Sequence, residues 1–349
     1  MADEGDNNNI ERYEEGTTVV MVWDSSGRKR VEIVVPIITH VYRGEEGEII
    51  PDEATHITVG EGVTFVRARA FCDHPNIVEV FCHDKVEKIE DMAFYGCPNL
   101  RQVIMPGVKE VEEMAFQYCP ALRDVECGML EIIGQFAFSR CHKLTSINLP
   151  SARIVGSAFA HCAALTCVKF GNTLERMERR AFYDCPSLER ITIPLKDGLI
   201  TDDNIFQGCE SLTQVDLVEG ELHETIVALH LEEWRNDMNE AIGSIYRILP
   251  NTRAGYYNYS YHGDQDDGEK AQVIRTWIRS ILFKIIHYQG EHRNILDDVA
   301  TTLQLALPHD IVMKNVLPFL ELPPHTFDEE DSDNEEQSSE NSLGAEEEE

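Results

Sequence analysis

The chain has 349 residues, a formal net charge of −33 and 10 cysteines. That length allows a sizeable core and more than one structural unit. The charge opposes binding to nucleic-acid phosphates and to anionic membrane surfaces, and it favours high solubility and basic partners.

Residues 1–16 are acidic and polar and are expected to be disordered. They have neither the basic start nor the apolar run of a secretory signal. The expectation is an intracellular, cytoplasmic protein, with the nucleus as an alternative, whose thiols stay reduced. Residues 17–51 are assigned as a cap. Within them, 18–23 and 31–35 are apolar-rich and flank Asp24-Ser25-Ser26-Gly27, the pattern of a β-hairpin laid against the first repeat.

Residues 52–220 repeat. An Ala-Phe pair recurs at Phe71, Phe94, Phe116, Phe138, Phe159 and Phe182, and Ile205-Phe206 follows, at intervals of 21 to 24 residues. Three positions after the Phe stand Cys97, Cys119, Cys141, Cys162, Cys185 and Cys209, with His74 in the first repeat. Six positions after it stands Ile77 or a leucine. Alternating apolar pairs come next, from Val80/Cys82 to Val215/Leu217, and an earlier pair, Ile57/Val59, opens the array. Pairs of period two read as short strands with one face inward. Ala and Cys four apart read as one helical turn with both facing the core. Five positions before each Phe an inward residue is expected: Val66, Ile89, Val111, Ile133, Ile154 and Met177. Units this short cannot bury their apolar side alone, so they stack around one continuous core.

The phrase Ile-x-x-x-Ala-Phe-x-x-Cys-x-x-Leu-x-x-Ile-x-Leu-Pro resembles the BspA-like leucine-rich repeat. Its clearest copy runs from Ile133 through Ala137, Phe138, Cys141, Leu144, Ile147 and Leu149 to Pro150. The resemblance implies an α/β repeat solenoid, with a short parallel strand and a helical turn per coil. It also implies protein recognition, sometimes adhesion at a cell surface, and no catalytic residues. Lacking an export signal, this chain departs from the surface members.

Residues 221–325 are expected to be α-helical. A first helix over 221–249 carries Ile226, Leu229, Trp234, Met238, Ile242, Ile245 and Leu249 and is stopped by Pro250. A loop rich in tyrosine (Tyr256, Tyr257, Tyr259, Tyr261) precedes a second helix with Val273, Ile274, Trp277, Ile278, Ile281, Leu282 and Ile285. A third is expected over 293–307 and a shorter one over 310–319. Segments 229–239 and 314–324 resemble those accompanying such repeats in proteins of unicellular algae, and no function follows from that. Two readings of the region stay open: a cap for the open end of the solenoid, or a partner-binding or self-associating module. The apolar-rich stretch 274–288 is too short and too charged to span a bilayer. The tail 326–349 holds 12 acids and no Lys or Arg, so it is expected to be disordered.

No residue set points to catalysis, a metal or a cofactor. The cysteine column lacks the paired spacing of zinc sites and reads as small apolar packing groups. Cys72-Asp73-His74 and Cys82-His83-Asp84 bring reactive types together, but side chains of sequence neighbours diverge. A binding surface is more concrete. The middle residue of each strand faces outward: Thr58, Phe81, Ile104, Glu126, Asn148, Lys169, Thr192 and Asp216. Phe81 and Ile104 belong to adjacent coils and are expected to form an exposed apolar pair. A basic island of Lys169, Arg176, Arg179, Arg180, Arg190 and Lys196 is a second candidate, suited to the acidic tail or an acidic partner. The expected function is a non-catalytic scaffold or adaptor for an unidentified protein partner. Adhesion or structural work at a cell surface, reached by an unconventional route, is the alternative.

Overall fold

The computed structural model describes residues 17–23, 29–218, 231–255 and 269–304. The expectations for 1–16, the hairpin turn, the tyrosine-rich loop, the helix over 310–319 and the acidic tail lie outside the described residues. Two strands, Thr17–Trp23 and Lys29–Pro36, pair antiparallel as a sheet of their own.

Parallel ladders then run coil over coil. The long-strand ladder contains Thr39–Tyr42, His56–Val59, Glu79–Phe81, Gln102–Ile104 and Asp124–Glu126. It resumes as a second sheet with Ser146–Leu149, Cys167–Phe170, Arg190–Ile193 and Gln214–Leu217. The array therefore starts one strand before Ile57/Val59, because Thr39–Tyr42 pairs in register with His56–Val59. Two-residue strands, from Phe65–Val66 to Arg176–Met177, form another parallel ladder of six. Their inward residues are Val66, Ile89, Val111, Ile133 and Met177, as expected, but Val155 replaces Ile154. The interval from Phe138 to Phe159 is the shortest of the array. That coil closes through a tight turn in which the Ala158 N–H meets the Gly156 carbonyl at 2.6 Å.

The Ala-Phe-x-x-Cys segment turns without forming an α-helix. Ala70, Cys72 and His74 donate to carbonyls three residues back, in successive tight turns. Arg69 and Asp73 between them have φ of 58° and 56°. This alternation aims the N–H groups of Arg69, Phe71 and Asp73 along the solenoid, onto the carbonyls of Asp91, Ala93 and Tyr95 in the next coil. Phe94, Phe116, Phe138, Phe159 and Phe182 repeat the bond, reaching Ala115, Ala137, Ala158, Ala181 and Ile205. A left-handed residue other than glycine costs about 1 kcal/mol or more. The neighbouring coil holds these residues in place, and only Gly96 and Gly208 occupy the position without that cost, at φ of 71° and 79°.

Inside, the phenylalanine rings form one column. From Phe71 to Phe206, successive centroids lie 4.7 to 5.8 Å apart and the planes stay within 7°. Tyr42 tops the column with its ring 5.0 Å from that of Phe71, and its hydroxyl accepts the Arg67 N–H. Each column cysteine donates its S–H to the Phe carbonyl of the previous coil, at 3.0 to 3.3 Å. Burial pushes the thiols of Cys97, Cys119, Cys141, Cys162 and Cys185 up, Cys162 to about 12, so their donating protons stay in place.

Past the repeats, α1 spans Glu232–Gly243 and α2 spans Ile245–Ile248, and a 3-10 turn, Leu249–Asn251, carries Pro250. The second and third expected helices are a single one, α3, from Glu269–Gln304, which passes through Gly290 without a break. The chain divides into two compact units, one joining the repeats to 236–286 and one combining 220–235 with 287–349. In the first, Lys270 is buried and its ammonium donates to the carbonyls of Cys209, Glu210 and Leu212 at 2.7 to 2.9 Å. Arg275 bonds the Ile200 carbonyl and the Asp203 carboxylate, and the Gly208 N–H meets the Ala254 carbonyl. The described residues of 236–286 thus cover the last coil. In the second unit Trp234 stacks on Tyr288 at 5.1 Å.

Phe116→Ala removes a ring held between Phe94 and Phe138, and equilibrium denaturation should show a loss of about 3–5 kcal/mol. Lys270→Met leaves three carbonyls of the last coil without their donor. A loss of about 1–3 kcal/mol is expected in the same measurement.

Candidate functional site

The outer side of the long-strand ladder is set by strand alternation: inward residues such as Val80 and Val103 are buried, and the residue between two inward ones must face out. Val41 opposes Thr58, Thr58 opposes Phe81, Phe81 opposes Ile104 and Ile104 opposes Glu126, each one rung from the next. Rungs are about 4.8 Å apart. Val41 is 50% exposed and Phe81 46%, while Ile104 is half-buried. The expected Phe81–Ile104 pair is therefore present, and Val41 extends it. Val41 was not legible as part of this row, because no Ala-Phe turn precedes its strand or follows it before the next strand. In the second sheet the row continues as Asn148, Lys169, Thr192 and Asp216.

The basic island does not gather. Lys169 and Arg190 lie on the long strands, Arg176 lies on the short-strand ladder, and Arg179 and Arg180 lie in the turn segment. Most are engaged: Arg190 with Asp216 at 3.4 Å, Arg176 with Glu178 at 3.3 Å and Arg179 with Asp202 at 4.0 Å. The Arg180 guanidinium covers the Tyr183 ring at 5.4 Å. Residues within one coil wind around three sides, so closeness in sequence places them apart in space.

At the far end of the face, Arg190, Asp216 and Tyr246 line an open cleft of about 440 Å³ with Thr213, Gln214 and Pro250. The Tyr246 hydroxyl donates to Asp216 at 2.7 Å. Burial, reinforced by that carboxylate, pushes the phenol up to about 12, so it is protonated and serves as a donor. Nothing in the spacing of residues 244–250 pointed to this contact, which arises only where α2 returns to the last strand.

The two Cys/His stretches are committed to structure. His74 Nε2 donates to the Pro51 carbonyl at 3.0 Å and His83 Nε2 to the Gly60 carbonyl at 3.0 Å. Each Nδ1 accepts a backbone N–H two residues on, from Asn76 and Lys85. A carbonyl only accepts and an N–H only donates, so both rings are neutral with the proton on Nε2. Burial pushes Cys82 up to about 12; burial and the adjacent Asp73 push Cys72 up to about 11. Neither thiol is an activated nucleophile. Among the described residues no group of three or more His, Cys, Asp or Glu could hold a metal ion, and no helix there is long and apolar enough to cross a membrane.

Six copies of a family model described as a BspA type leucine rich repeat region match residues 52–157 and 131–227. Solved structures resembling parts of the chain include a leucine rich repeat protein of T. pallidum. It is 22% identical, covers 52% of this chain and 69% of its own, and has a TM-score of 0.33. A leucine rich cell surface protein of Faecalibacterium prausnitzii A2-165 is 14% identical, with coverage of 60% and 95% and a TM-score of 0.20. A leucine-rich repeat protein of Bacteroides ovatus ATCC 8483 is 17% identical, with coverage of 60% and 76% and a TM-score of 0.21. No curated protein matches this chain.

Within the matched span, His74 stands where later coils hold a cysteine. Burial lowers its pKa from the ordinary 6.5. The folded protein then binds this proton less readily than the unfolded chain, so the site's stability is present above pH 6.5 and is lost as pH falls below it. His74→Cys should be closest to wild type in the acidic range and should flatten the decline, as read by thermal midpoints between neutral pH and about pH 5.

Proposed function

Because the chain belongs to the BspA-type leucine-rich-repeat family, we propose that it is a non-catalytic scaffold that binds a protein partner through the outer face of its long-strand ladder. The observation that carries this reading is the in-register pair Phe81 and Ile104, continued through Thr58 to Val41, standing outward on strands whose opposite side is buried. An exposed aromatic on a rigid sheet is a typical interface anchor. Hydrogen-bonded ladders flank each coil, so the face is preformed and loses little conformational entropy on binding. The cysteines are all free thiols, which supports placing the protein in a reducing compartment inside a cell.

Phe81→Asp/Ile104→Asp on the full chain tests the reading, since both side chains point away from the core. Thermal midpoint should stay close to wild type. Recovery of partner from native lysate, quantified by mass spectrometry against the wild-type bait, should drop about tenfold or more. Undiminished recovery by the double variant, with folding intact, would remove this face as the binding surface.

A further inference from the structure

We infer that the polypeptide held by this face is basic as well as apolar, carrying Lys or Arg beside its apolar anchors. The inference rests on the reading of the outer face as the binding surface and adds the chemistry of its occupant.

The apolar row is edged by carboxylates fixed by the same register. Glu79 is on the strand of Phe81, and Asp124 and Glu126 occupy the rung after Gln102 and Ile104. All three are exposed. Glu126 has no ion-pair partner among the described residues. Among the same residues Glu79 meets only His56, at 3.3 Å, and Asp124 only its own neighbour Arg123, at 3.2 Å. Each therefore keeps carboxylate surface open to a newcomer.

A parallel ladder allows no slack here: a side chain lying over Ile104 has Glu126 one rung away, at about 5 Å, and Asp124 on the diagonal, at about 7–8 Å. At those distances a cation on the partner is attracted, and a carboxylate or phosphate is repelled. The net charge of −33 adds to this over longer range and weighs against a second copy of the chain, a nucleic acid or an anionic membrane as the occupant. Complementarity of this kind shows itself in association rate and salt dependence as well as in affinity.

The probe is a short fluorescent peptide alternating Leu and Lys, with a Leu/Glu peptide as its counterpart, titrated with the full-length protein by fluorescence anisotropy. The Leu/Lys peptide should bind saturably, weaken with added salt, and lose about tenfold or more in affinity with Phe81→Asp/Ile104→Asp. Asp124→Lys/Glu126→Lys should weaken it similarly and admit the Leu/Glu peptide. Glu45→Lys/Glu113→Lys makes the same change in net charge away from the row and should leave affinity within about threefold of wild type. If both lysine pairs act alike, attraction is diffuse and the inference falls. If the apolar double variant loses binding while Asp124→Lys/Glu126→Lys matches the Glu45/Glu113 control, the face survives as a binding surface and its basic partner does not. If the apolar double variant binds as wild type does, the face itself is not the site. Absence of saturable binding by the Leu/Lys peptide overturns the inference, as does equal binding of both peptides.

Discussion

Stacking between coils is the constraint on which the rest of this structure depends. A phenylalanine ring, a leucine or isoleucine and, in every coil after the first, a cysteine thiol bury themselves against the same residue types above and below. The cysteine proton bonds the Phe carbonyl of the preceding coil, so the column is joined by polar contacts as well as by dispersion. Because the buried rows must stay in register, every coil has to return the chain to the same place within a few residues. The left-handed residues of the turn segment accomplish this. Their strain is supported by hydrogen bonds to the next coil, so the turn has the geometry it does only as part of a stack.

A stack built from nearest-neighbour contacts is incomplete at its two ends, and the ends are solved differently. At the start, Tyr42 supplies an aromatic surface for the first ring while its hydroxyl binds backbone. At the finish, the last turn presents carbonyls with no further coil to donate to them. A lysine ammonium carried in by α3 supplies three donors at one point, which a neutral side chain could not do. The cap is thus a hydrogen-bonding device as much as an apolar lid.

With the inside of each strand dictated by the stack, the outside is free to vary from coil to coil. The outward row changes along the ladder, from Val41, Thr58, Phe81 and Ile104 through Glu126 to Asn148, Lys169, Thr192 and Asp216, while from Ile57 onward the inward row stays apolar. In the proposed reading, recognition falls to residues that the fold does not need. This separation leaves Phe81 and Ile104, the proposed anchors, on a surface whose rigidity comes from elsewhere.

The period, the inward columns apart from Val155 and the outward set from Thr58 to Asp216 were legible in the residues because they depend on spacing within a coil or from one coil to the next, and the hairpin because two apolar-rich runs flank turn-forming residues. Tertiary structure alone decided three things. Thr39–Tyr42 became the first rung through pairing with His56–Val59, which no Ala-Phe turn announces. Lys270 became the end cap because it meets carbonyls some sixty residues away, whereas a helix pattern marks a lysine as a solvated position. The arginines from 176 to 190 were dispersed, since one coil passes around three sides and distance along the chain does not measure distance across it. A repeat is legible where its contacts recur at a fixed interval. It stops being legible at its ends and on its circumference, where a residue's meaning depends on which face it has reached and on what the rest of the chain brings there.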